Sequence, residues 1–80
     1  MIDKNLLMGK IVSTGNTQTS VASQMGISKN TLNEKINGKK RFYAEEVLRV
    51  CEIVGVDSAE EMAKIFYPGI PKTGQAKGIR

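Results

Sequence analysis

The sequence predicts an all-α fold of five short helices. Three observations carry this. Apolar residues return every three or four positions in five separate segments. Four of those segments open on a residue suited to cap a helix: Asp3, Thr17, Ser28 and Ser58. Four close on a glycine (Gly15, Gly26, Gly38 and Gly55), and Pro68 stands beyond the fifth.

The first helix is expected over 3–13, capped by Asp3, with Leu7 and Ile11, or Met8 and Val12, repeating at i,i+4. Gly15 and Asn16 break it. Thr17 caps the second, over 17–25, where Val21, Ala22 and Met25 form one narrow apolar face. Alanine at position 22 marks a close helix–helix approach, because a larger side chain would push the partner away. Gly26 supplies the left-handed residue that commonly ends a helix.

A third helix restarts at once over 28–37. Ser28 is its cap, and Ile27 packs on Leu32 as a hydrophobic staple. Leu32 and Ile36 are its apolar stripe. At about 100° per residue the other side presents Asn30, Glu34 and Asn37, flanked by Asn33 and Thr31, with Lys29 in the first turn. Gly38 ends it, and Lys39, Lys40 and Arg41 follow as a loop. Phe42 and Tyr43 are expected to fold back onto the core.

The fourth helix is expected over 44–54, with Ala44, Val47, Leu48, Cys51 and Val54 on its apolar face and Glu45 and Glu46 favouring its N-terminal dipole. Gly55 stops it. Ser58 and Glu61 form a capping box for the fifth, over 59–66, whose Met62, Ile65 and Phe66 cover the core. Residues 1–67 thus form one domain and 68–80, rich in Gly, Pro and Lys, a flexible basic tail. The chain has no internal repeat.

Composition narrows the function. Eighty residues, 40% of them hydrophobic, support a single small core, and four aromatics with no tryptophan make its packing aliphatic. There is no histidine, and the lone Cys51 has no partner to activate it or to share a zinc ion. Enzyme activity is not expected, nor is a cofactor, metal or small-molecule ligand. The apolar runs are too short for a membrane span, and the N-terminus lacks the apolar core of a secretory signal. A cytoplasmic protein is expected.

The formal charge of +4 is unevenly distributed. Residues 28–41 hold Lys29, Lys35, Lys39, Lys40 and Arg41 against Glu34, a local net of +4. Residues 45–61 hold Glu45, Glu46, Glu52, Asp57, Glu60 and Glu61 against Arg49, a local net of −5. A basic segment beside an acidic one is the footprint of a surface that faces a polyanion on one side.

Two helices joined by a short glycine turn form a helix-turn-helix. The pattern Gln18, Val21, Ala22, Met25, Gly26, Ile27, Leu32, Ile36 resembles the Cro and lambda-repressor type of helix-turn-helix domain. With the flanking helices, the resemblance runs from Leu6 to Phe66. The runs GISKNTLNEKINGKKRF and EEVLRVCEIVGV look especially like small phage and prophage regulators of low-G+C Gram-positive bacteria.

The resemblance implies a lambda-repressor-like domain with its helix-turn-helix at helices 2 and 3. It implies a Cro-like or repressor-like transcriptional regulator that binds a double-stranded DNA operator in the host nucleoid, as a homodimer at least on DNA. Helix 28–37 would lie in the major groove. Lys29 would donate to guanine, Asn30 or Asn33 would pair with adenine, and Glu34 would accept from cytosine or exclude an acceptor edge. Thr17 and Gln18 at one helix start, Ser28 and Thr31 at the next, and Lys39, Lys40 and Arg41 behind would hold phosphate.

Two positions depart from the family pattern. Many relatives carry an aliphatic residue where Lys35 stands, so the third helix is expected to be slightly rotated. Tyr43 occupies a position where relatives usually place a Ser or Thr cap. A competing reading keeps the fold but makes it a protein-interaction module, such as an antitoxin or anti-repressor, acting through the acidic C-terminal half. RNA is the weaker nucleic-acid candidate, since an aromatic stacking surface is lacking.

Overall fold

The computed structural model describes residues 2–69. The expectation of a flexible tail therefore lies, beyond Gly69, outside the described residues. These fold into α1 (Lys4–Ser13), α2 (Gln18–Met25), α3 (Lys29–Ile36), α4 (Ala44–Val54) and α5 (Ala59–Phe66), with no strand among them. α2 packs against both α3 and α4, and α1 lies against α5.

Local chemistry explains the helix boundaries. Asp3 Oδ1 accepts the Leu6 N–H at 3.1 Å and opens α1. Thr17 and Ser20 form a reciprocal pair at the start of α2: each hydroxyl accepts the other residue's N–H, at 3.0 and 2.9 Å. Ser28 Oγ accepts the Thr31 N–H at 3.0 Å and opens α3 one turn later. Between these two helices Gly26 stands at φ 77°, and the Ile27 N–H bonds back to the Ala22 carbonyl at 3.0 Å. That reversal needs a left-handed residue, which glycine adopts without a Cβ penalty. Gly38, at φ 82°, closes α3 in the same way through Lys39 N–H to Glu34 O at 2.8 Å.

The core is mainly aliphatic, with Phe66 as its one buried aromatic among the described residues. Leu7 and Ile11 of α1, Val21 and Ala22 of α2, and Leu32 and Ile36 of α3 meet α4 and Ile65 and Phe66 of α5. The buried Ala22 lies on the helix that serves two neighbours, as its size requires. Phe42 lies edge-on to Phe66, ring centroids 5.4 Å apart, and carries the loop after α3 onto the core. At the other end, the Asp3 N–H bonds to the Ile65 carbonyl at 2.7 Å, and Lys10 pairs with Glu61 at 2.9 Å.

Four expectations are corrected. The buried face of α4 is Val47, Val50, Cys51 and Val54, whereas Ala44 and Leu48 face out, Leu48 being 63% exposed. Both sets obey the i, i+3, i+4, i+7 spacing, so periodicity alone does not choose between them. Val12, on the alternative stripe of α1, is also exposed. Tyr43 does not fold onto the core with Phe42: it is 57% exposed. Finally, the Ser58–Glu61 box is half made. Ser58 Oγ accepts the Glu61 N–H at 3.0 Å, but the Glu61 carboxylate goes to Lys10. Cys51 is buried; burial first, and the nearby Glu61 charge second, push its thiol above the ordinary value.

Candidate functional site

α3 buries three residues, not two. Leu32 and Ile36 anchor it as expected, and Lys35 joins them at 7% exposure. Its Nζ donates to Glu46 Oε1 and to the Arg41 carbonyl, both at 2.9 Å, and lies 5.4 Å from the centre of the Tyr43 ring. The lysine thus uses its alkyl stem for packing and its head for pairing. Lys35 also leaves the count of solvent-facing cations on residues 28–41.

Glu46 is tied twice, since its Oε1 also accepts the Tyr43 N–H at 2.9 Å. Burial pushes the carboxyl up, but the Tyr43 N–H and then Lys35, by hydrogen bond and charge, pull it further down, to a net value below the ordinary 4.5. A carboxylate lowered on folding contributes stability that is fully present above its ordinary value. That stability is lost as pH falls through the lower folded value. Urea unfolding of the protein and of Glu46→Gln is therefore expected to differ most above about pH 4.5 and to converge as the pH falls below it. A difference that stays constant across this window contradicts the assignment.

The exposed side of α3 carries a chain of side-chain hydrogen bonds running in one direction. Lys4 Nζ of α1 donates to Asn37 Oδ1 at 2.9 Å, and Asn37 Nδ2 donates to Asn33 Oδ1 at 3.1 Å. Asn33 Nδ2 reaches Gln18 Oε1 of α2 at 3.4 Å, and Gln18 Nε2 points to Met8 Sδ at 3.6 Å. Each amide nitrogen has two hydrogens and each amide oxygen two lone pairs. Asn33 is thereby held in orientation while one donor and one acceptor remain to face a ligand.

The other site residues are distributed as follows. Lys29 and Asn30, in the first turn of α3, are exposed and make no side-chain hydrogen bond among the described residues. Glu34 is half-buried and pairs with Lys40 at 3.2 Å. Ser28 and Thr31 join hydroxyl to hydroxyl at 2.9 Å within the cap. Thr17 caps α2 beside Gln18, leaving the Gln18 and Thr19 amides without an intrahelical acceptor, as for the first N–H groups of any helix. Lys39 and Arg41 are exposed and form no ion pair among the described residues. The structure thus brings Lys29, Asn30 and Asn33 onto one helix flank, with the 39–41 loop at its end.

Lys4 and the role of Asn37 were not found from sequence. They lie 33 positions apart, and no local pattern links an α1 lysine to the end of α3. On other elements, an open groove of about 730 Å³ runs between α4 and α5, floored by Leu48, Cys51 and Met62 and rimmed by Glu45, Glu52 and Asp57. Among the described residues no three His, Cys, Asp or Glu side chains group to hold a metal, and no helix is long and apolar enough to cross a membrane.

No curated protein matches the chain. Residues 1–68 match the family model DUF739, described as a protein of unknown function. That match spans most of the sequence, and the chain belongs to the DUF739 family.

Proposed function

We propose that the chain is a sequence-specific double-stranded DNA-binding transcriptional regulator of the Cro or repressor type. In this reading α2 and α3 are the helix-turn-helix, α3 enters the major groove, and the protein acts without catalysis on the DNA of a bacterial cell. One observation carries the reading. An eight-residue helix buries Leu32, Lys35 and Ile36 and turns Lys29, Asn30 and an oriented Asn33 outward, with Lys39 and Arg41 behind. Lysine and asparagine are the side chains that read guanine and adenine edges, and loop cations hold phosphate. A domain this small contacts few base pairs, so a homodimer on a two-fold operator is the route to specificity.

Salt dependence tests it. Binding to duplex DNA is expected to weaken steeply as salt rises, and Lys39→Ala with Arg41→Ala to flatten the log–log slope by about 1.8. Lys40→Ala is expected to do less, because Glu34 already neutralises Lys40. Absence of duplex binding at low salt, or a slope unmoved by the double substitution, contradicts the reading.

A second reading rests on the α4–α5 groove. Its exposed Leu48 and its acidic rim suit a protein partner, as in an antitoxin or anti-repressor. Binding that survives high salt and is lost with Leu48→Glu would favour it.

A further inference from the structure

Four of the five helices open on a side chain that caps them: Asp3, Thr17, Ser28 and Ser58. α4 opens on Tyr43. Tyrosine is a poor cap, because its hydroxyl lies too far from the backbone to accept the Glu46 N–H. The phenol is not placed for core packing either, being 57% exposed. Two cations lie over its ring instead, Lys35 Nζ at 5.4 Å and Arg41 Cζ at 5.7 Å from its centre. Lys35 is already bound to Glu46 and the Arg41 carbonyl. Arg41 is therefore restrained at both ends, its backbone by the Lys35 hydrogen bond and its guanidinium by the nearby aromatic ring, within the range of cation–π attraction.

A guanidinium drawn to a ring face still has N–H groups for hydrogen bonding, and those of Arg41 make no ion pair among the described residues. We infer that Tyr43 is a positioning residue that holds the Arg41 guanidinium ready for a DNA phosphate, at the expense of the helix cap its position would otherwise carry. The inference rests on the DNA-binding reading above. It adds a residue to that site and gives the chain's departure from a Ser or Thr cap a physical reason. Holding Arg41 in advance lowers the ordering cost of binding, independently of base sequence.

The test reads stability and affinity on the same variants, using a random-sequence 30-base-pair duplex at low salt and thermal unfolding. Tyr43→Ser supplies a cap that completes the reciprocal pair with Glu46, so its Tm is expected to rise by about 4 °C. Its affinity for the duplex is expected to fall about two- to five-fold, the range of an exposed cation–π contact. Tyr43→Phe keeps the ring and is expected to match the parent, whereas Tyr43→Leu keeps bulk without the face and is expected to bind as weakly as Tyr43→Ser. In an Arg41→Ala background the effect of Tyr43→Ser on affinity should vanish. A role confined to fold stability cannot raise Tm and lower affinity together. Parity of Tyr43→Ser with the parent, or an equal loss in the Arg41→Ala background, overturns the inference while leaving the regulator reading intact. A parent protein that does not bind the duplex overturns both.

Discussion

Asn33→Ala is expected to lower affinity for the preferred operator by about ten- to a hundred-fold, the worth of one bidentate base contact, and to relax preference at a single base pair in each half-site. The effect is large because Asn33 is oriented before binding, held by Gln18 on one side and Asn37 on the other. A side chain already in its bound orientation loses little entropy on docking, so more of the contact appears as affinity. Asn30, exposed and unbonded, lacks that advantage, and Asn30→Ala is expected to cost less. Competition between the operator and its single-base variants measures both. Uniform weakening across all sequences would instead assign Asn33 to the backbone, and no weakening would remove it from the interface.

Lys35→Ala is expected to destabilise the fold by about 3 kcal/mol, the low end for breaking a buried ion pair. The low end applies because the Glu46 side chain remains 24% exposed and keeps some water when its partner is lost. The double substitution Lys35→Met with Glu46→Gln is expected to stay within about 1 kcal/mol of the parent, since it refills the lysine's volume with apolar atoms and leaves no unpaired charge. Urea unfolding at neutral pH separates the two. Equal, small effects for both would mean that the ammonium and the stem contribute little and that Lys35 is not an anchor of α3.

The elements set by local chemistry were legible in the sequence. Thr17, Gly26, Ser28 and Gly38 each act on backbone groups within a turn of themselves, so α2, α3 and the bend between them follow from residue types alone. What the sequence hid depends on partners distant along the chain. Lys35 reads as a surface charge until Glu46, one helix away, is seen to meet it. Counting it among the exposed cations overstated the basic surface, and Glu34 reduces that surface further by pairing with Lys40. The α4 face was misread by one step because Leu48 and Val50 are both apolar, and only packing against α2 decides which points inward. Lys4 and Asn37 join across the fold, where no spacing rule reaches.

The α3 surface makes one central claim testable in a single experiment: selection of bound duplexes from a random-sequence DNA pool at low salt, with the full chain. A surface that reads bases through Lys29, Asn30 and Asn33 on two related copies predicts a short pseudo-palindromic consensus, its half-sites roughly one helical turn of about 10 base pairs apart. Recovery of a pool no different from the input would contradict it.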